Sequence, residues 1–193
     1  VGALILADPT GKALRIIRGP SNTALQLDHL DITADRQLAE IADEIRLRKD
    51  PYWGPPVYRE LTQTTYLNYR VPIRKEDLYL GFVTLAVSTR ALSILVKELS
   101  EPLRSATFML YGRDRILAHQ AILDGSRKAS EDVPLHLLRT FGDRVIENYS
   151  SAQPLDKAGI TPPPGAVARQ QMVDDELYFI FARDISGYGD LPI

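Results

Sequence analysis

The sequence predicts a mixed α/β chain of the α+β kind, with two units in tandem, each an antiparallel sheet flanked by helices. Three observations predict it. Short segments alternate apolar and polar residues with the period of two that a half-buried strand requires. Other stretches carry apolar residues at helical spacing. The order strand, turn, strand, helix, loop, hairpin occurs twice, divided at Glu101-Pro102. That division gives units of 1–101 and 102–193, each of ordinary domain size.

Gly2 to Ala7 (GALILA) is a short apolar run, and Asp8-Pro9-Thr10-Gly11 after it is a turn signal. Lys12 to Arg18 alternates, which predicts a hairpin, and Gly19-Pro20-Ser21-Asn22 ends it. Thr33 is a candidate N-cap for a helix whose apolar face is Leu38, Ile41, Ala42 and Ile45. Asp50-Pro51 stops that helix, because the residue before a proline disfavours helical backbone.

A lead-in rich in aromatics and proline follows: Tyr52, Trp53, Gly54, Pro55, Pro56, Tyr58. Thr64 to Pro72 alternates as a strand, Arg74 to Asp77 is a polar turn, and Leu78 to Val87 is a second strand, apolar on both faces. Ser88 or Thr89 caps the next helix, with Ala91, Leu92, Leu95, Val96 and Leu99 as its apolar face. In the second half, Thr107 to Tyr111 and Arg115 to His119 read as strands joined by Gly112-Arg113-Asp114. A polar loop runs from Asp124 to Asp132. Pro134 opens a predicted helix with Leu135, Leu138, Phe141 and Val145 on one face. The last pair, Val167 to Val173 and Leu177 to Ala182, turns at Asp174-Asp175-Glu176.

A net charge of −2 gives no general attraction to nucleic acid or to an anionic membrane. The densest basic run, Arg46-Leu47-Arg48-Lys49, reads as the solvated end of a helix. The absence of cysteine excludes a disulfide framework, a thiol nucleophile and Cys-ligated metal. Nothing resembles a signal peptide or a run of ~20 apolar residues that would span a bilayer. The chain reads as a piece of a longer protein, joined to a membrane only through segments outside it.

Catalytic motifs are missing. His29, His119 and His136 are scattered without metal-ligand spacing, no Gly-x-Ser-x-Gly occurs, and no glycine loop suits a phosphate. Asp174-Asp175-Glu176 reads as solvated acids in a turn, and the acids of Asp184 to Asp190 lack calcium-loop spacing. No cofactor is expected.

Binding has better candidates. Alternation puts Tyr66, Asn68 and Arg70 on one side of their strand and Thr65, Leu67, Tyr69 and Val71 on the other. The first side offers a hydroxyl, an amide and a guanidinium fork that matches a carboxylate. Trp53 and Tyr58 can form a wall and lid, and Tyr79 lies near the start of the next strand. Each has a plainer reading: Trp53 and Tyr58 as partial core, the strand residues as a wet sheet face, Ser88 as a helix cap.

Trp53, Tyr58, Gly81 and Ser88 form an ordered set: Trp and Tyr before a strand, a hairpin, a Gly opening the next strand, and a Ser at the strand-to-helix junction. That set resembles the ligand-binding half of the extracytoplasmic Cache (PDC) sensor family of bacterial transmembrane receptors, and the doubled plan resembles its double form. The resemblance implies two PAS-like modules. The membrane-distal one would hold a small-molecule ligand at Trp53, Tyr58, Tyr66, Asn68, Arg70, Tyr79 and Ser88. It also implies a periplasmic location and, for many such sensors, a homodimer. The family's long N-terminal helix is not in the sequence. The tail from Arg183 to Asp190 resembles the end of sensors joined to adenylate or guanylate cyclases, so a cyclase output is expected first, then a histidine kinase or chemoreceptor.

One departure bears on the ligand. The amino-acid-binding members carry an Asp two residues before the junction Ser, and here that residue is Ala86. Their Arg-x-Trp-Tyr element is also not intact. The expectation is therefore an organic acid or another small polar molecule rather than an α-amino acid. The rival readings are a protein-interaction domain, which predicts a flat Tyr66/Asn68/Arg70 surface, and an enzyme accessory domain, which predicts an acid/base pair in a cleft.

Overall fold

A computed structural model describes residues 2–18, 25–102, 105–125, 127–155 and 161–185. The Gly19 to Asn22 signal and most of the tail from Arg183 to Asp190 lie outside the described residues. A seven-stranded antiparallel sheet dominates the first half. Its strands are β1 (Gly2–Ala7), β2 (Lys12–Arg18), β3 (Leu25–Asp31), β4 (Tyr52–Trp53), β5 (Val57–Arg59), β6 (Thr64–Lys75) and β7 (Leu78–Ser88). They lie in the order β3-β2-β1-β7-β6-β4, with β5 also paired to β6. Helix α1 (Arg36–Leu47) covers one face of the sheet, and α2 (Thr89–Ser100) follows β7.

The turn at Asp8 forms because its carboxylate accepts from Thr10 N at 2.8 Å and Lys12 N at 3.1 Å. The cap of α1 is Asp35, whose side chain accepts from Leu38 N, rather than Thr33. Thr33 lies instead in a 3₁₀ turn capped by Asp31. Strand β3 and the short strands β4 and β5 lie in stretches that the sequence reading left without elements. At Gly81 φ is +133°, and a Cβ there would stand 2.0 Å from the Ala7 carbonyl oxygen. The β6–β7 register shifts beside it, so this glycine allows close approach of β1 to a bulged β7.

Ser88 caps α2, its Oγ accepting from Ala91 N at 3.1 Å. The inward face of α2 differs from the predicted one. Thr89, Ser93, Val96 and Ser100 are buried, whereas Ile94, Leu95 and Leu99 are exposed. Small hydroxyl residues let strand β9 come close. Ser93 Oγ donates to Thr89 O at 2.7 Å and accepts from His119 N at 3.2 Å, so the buried hydroxyl is satisfied.

The second half carries two smaller sheets. One pairs β8 (Met109–Tyr111) with β9 (Arg115–Ala118), and the other is β10 (Gln153–Pro154), β11 (Ala166–Val173) and β12 (Glu176–Arg183). The helix predicted from Pro134 does not form. Its first residues run extended beside β9: His136 O accepts from Ile116 N at 2.8 Å, and Leu138 N donates to Asp114 O at 2.7 Å. Gly142, at φ +84°, breaks the backbone, and Asp143 then caps the single-turn α3 (Arg144–Glu147). Leu135, Leu138 and Phe141 are nevertheless buried, so their apolarity went into packing without helical backbone. The β11–β12 turn takes positive φ at Asp174 and Asp175, as two-residue hairpins require, and Asp174 pairs with Arg144.

Strand β6 belongs to two environments. One face is the floor described below. The other carries Leu67, 2% exposed, into a cluster with Leu117 and Leu135 of the second half, with Trp53, Leu92, Met109 and Tyr111 around it. Beside it, buried Thr65 donates to Pro134 O at 2.5 Å.

Candidate ligand-binding site

Pairing register builds the site. Across one face of the sheet run Asp28, Arg15, Ile5, Thr84, Arg70 and Tyr52, each opposite the next. The next row is Gln26, Ile17, Ala3, Ala86 and Asn68. Above this floor stand Leu38 and Ile41 of α1, the Val57–Thr62 segment, Arg90 and Ile94 of α2, and the loop Ser130–Asp132 from the second half. Together they bound a hollow of about 1060 Å³, at the upper end of small-molecule sites.

Of the residues singled out from sequence, Tyr58, Tyr66, Asn68, Arg70 and Ser88 line this hollow. Tyr66 and Ser88 face each other across β6 and β7. Trp53 and Tyr79 stand elsewhere. Trp53 pairs with Tyr69 on the opposite sheet face, the rings 5.0 Å apart, inside the cluster around Leu67. Tyr79 packs on the α1 core with Arg46 and Arg74 over its ring. Strand alternation allows only one of Tyr52 and Trp53 to face α1, and it is Tyr52.

Arg70 is the buried centre of the floor, at 1% exposure. Its Nη1 donates to Glu44 Oε2 at 2.7 Å, and the Tyr52 hydroxyl stands 3.5 Å away. Burial pushes the Tyr52 phenol above its ordinary pKa, and the Arg70 hydrogen bond partly offsets this. The guanidinium lies flat on Gly54, where a Cβ would meet Arg70 Cζ at 2.3 Å. Arg70 Nε and the Oγ1 of Thr84, 6% exposed, are buried with no hydrogen-bond partner in the chain. Such groups cost stability unless something satisfies them.

Three more cations line the hollow, of which Arg15 and Arg59 pair with acids and Arg90 lies at the exposed rim. Arg15 pairs with Asp28 at 2.7 Å. Arg59 donates to Gln37 at 2.6 Å and lies 3.4 Å from Asp35. Sequence reasoning did not single out Glu44, Tyr52, Gly54 or Thr84. Thr84 had a signal: Phe82, Thr84, Ala86 and Ser88 share one face of β7, smaller and more polar than Val83, Leu85 and Val87 opposite. Glu44 sits next to Ile45 on α1, at the edge of the apolar face, where a carboxylate can reach inward.

No group of three or more metal-ligating side chains occurs among the described residues, and no helix among them is long and apolar enough to cross a membrane.

No family model matches the sequence, and no curated protein matches it. Solved structures do. The chain superimposes on the ligand-binding domain of the Pseudomonas aeruginosa amino acid chemoreceptor PctC, in complex with GABA, over 98% of this chain and 70% of that one (TM-score 0.54, 13% identity). The chain has the fold of a receptor sensory domain. This is the fold that the Cache resemblance implies. The sensory fold recurs in the Pseudomonas fluorescens chemoreceptor CtaA, solved with L-leucine, covering 98% of this chain and 66% of that one (TM-score 0.52, 14% identity). It recurs again in the extracellular domain of a protein assigned as a histidine kinase, covering 93% and 66% (TM-score 0.53, 15% identity). The chain thus spans about two thirds of the length of the structures that it matches.

Proposed function

We propose that this chain is the extracytoplasmic ligand-binding part of a bacterial transmembrane signalling protein, with a small molecule held in the hollow between the large sheet and α1. One observation carries the reading: a cavity of about 1060 Å³ gathers Tyr58, Tyr66, Asn68 and Ser88 over an apolar sheet floor. A flat protein-binding face would not have that depth. The lining also offers no isolated acid/base pair for an enzyme.

In this reading residues 1–101 are the membrane-distal module and 102–193 the membrane-proximal one. The ligand shifts the balance between two arrangements of the distal module by its difference in affinity for them. The second module passes that shift to an output domain outside this chain, with a cyclase favoured over a histidine kinase or chemoreceptor. A homodimer suits this role. The neighbours' GABA and leucine are of a size that fits the hollow easily, but Ala86 leaves the floor without the acid expected for an ammonium group.

The test is a thermal-shift screen of small organic molecules followed by calorimetry. A true ligand at 100 times its Kd stabilises the fold by about 2.7 kcal/mol. Asn68→Leu, which puts an apolar side chain on the floor, should abolish the response without unfolding the chain. A ligand whose affinity ignores that change would place binding elsewhere and refute the assignment.

A further inference from the structure

A second cavity lies in the seam between the two halves of the molecule, apart from the ligand hollow. We propose that it binds a small doubly charged oxyanion of the phosphate or sulfate type, held between Arg90 of the first half and Lys128 of the second.

The seam cavity measures about 330 Å³, at the lower end of small-molecule sites. Residues 62–65 and the start of α2 form its first-half wall, and residues 127–129 and 134–136 form much of the other. Charge sets it apart from the hollow. Asp35, Glu60, Glu131 and Asp132 line the hollow beside its arginines. The seam is lined by Arg90, Arg127 and Lys128, and by no carboxylate among the described residues. His136 lines it too, and burial lowers its pKa, so at pH 7.5 it is neutral and adds no charge.

The three cations are placed differently. Arg127 is held in the wall, its guanidinium 5.6 Å from the centre of the Phe141 ring and close against Gly142. Arg90 and Lys128 are exposed, and among the described residues neither forms an ion pair. Arg90 reaches only the Leu123 carbonyl, at 3.5 Å. A cleft lined by charges of one sign focuses their field on a counter-ion. The guanidinium offers an oxyanion two parallel N–H donors, and the ammonium offers a point charge. The Gln63 amide and the Tyr58 hydroxyl line the same cleft as neutral donors. Because the cleft is half open, a bound ion keeps part of its water and escapes the full desolvation cost. Tyr58, Thr62, Thr64 and Arg90 line both cavities, so an ion in the seam would also fix a side chain at the rim of the hollow.

The test is calorimetry on the chain with sodium sulfate at pH 7.5, with ionic strength held constant by chloride. Melting temperature is not the readout, because sulfate stabilises most folds through its exclusion from their surface. The heat should saturate, with a Kd in the low millimolar range. Arg90→Gln and Lys128→Gln should each weaken binding about threefold, the size of one exposed ion pair, and the double variant about tenfold. Lys75→Gln, at the exposed end of β6, should leave the affinity unchanged. No saturable heat, or a double variant that binds as the wild type does, overturns the inference. So does an equal loss in Lys75→Gln, which would mean attraction by the general field of the chain. Lys128 lies outside the hollow. A sulfate that responds to Arg90→Gln but ignores Lys128→Gln sits in the hollow, which overturns the seam site and leaves the sensor reading intact.

Discussion

Glu44→Gln is the most informative single change, because it removes a charge and almost no volume. At 2.7 Å, the Arg70–Glu44 attraction at an effective dielectric constant of ~20 is about 6 kcal/mol before any screening. Glu44 is 41% exposed and pairs from the wet side, so water screens much of that, and Gln keeps an oxygen that Arg70 can donate to. What remains is the charged part of one hydrogen bond, about 1–2.5 kcal/mol. Urea unfolding should show a loss of that size. Glu40→Gln, on the same helix in an exposed pair with Arg36, should cost under ~0.5 kcal/mol. In Glu44→Gln, Arg70 would be left buried with an unmatched charge. Unchanged stability would refute the idea that Glu44 matches the buried charge of Arg70.

Leu67→Ala should destabilise the chain by about 3–4 kcal/mol, since the side chain is buried between the two halves and its loss leaves a cavity. Hydrogen exchange should show amides loosened in both halves, and an effect confined to residues before 102 would contradict the packing. Gly81→Ala should cost more than ~2 kcal/mol, because the new Cβ meets the backbone oxygen of Ala7 at a positive φ; a wild-type melting temperature would count against that geometry. Burial lowers the pKa values of His119 and His136. The unfolded chain therefore takes up protons near pH ~6.5 before the folded chain does, so stability is lost as pH falls below that value. The loss is at most about 2.7 kcal/mol per pH unit for two groups, and urea midpoints measured at about pH 7.5 and 5.5 should show it. His119→Asn with His136→Phe should flatten that fall.

Much of the fold could be read from periodicity. The alternation from Thr64 to Val71 correctly separated Tyr66, Asn68 and Arg70 from Leu67 and Tyr69, because side chains on a strand alternate without exception unless a bulge intervenes. The capping role of Ser88 was readable for the same local reason. The stretch after Pro134 carries a helical pattern without a helix because buried residues at i, i+3 and i+6 can also line an extended segment with 3₁₀ turns, and Gly142 breaks the backbone. The α2 face differs from its apolar pattern because its inward side is chosen by how closely β9 approaches, a tertiary fact that favours Ser93 over Leu95. In the site, Trp53 drew attention by size, yet parity within a two-residue strand turns Tyr52 toward Arg70. Glu44 was invisible as a partner because it lies 26 residues from Arg70 in sequence.

Strand β6 has the hollow on one side and the second half of the molecule on the other. Arg70 and Leu67 are three residues apart on one stretch of backbone. Any displacement of the backbone at Arg70 would be felt at Leu67, which packs against Leu117 and Leu135. Thr65, on the same strand, is fastened to the Pro134 carbonyl. No relay of loops has to be imagined between guest and far half: one plank carries both.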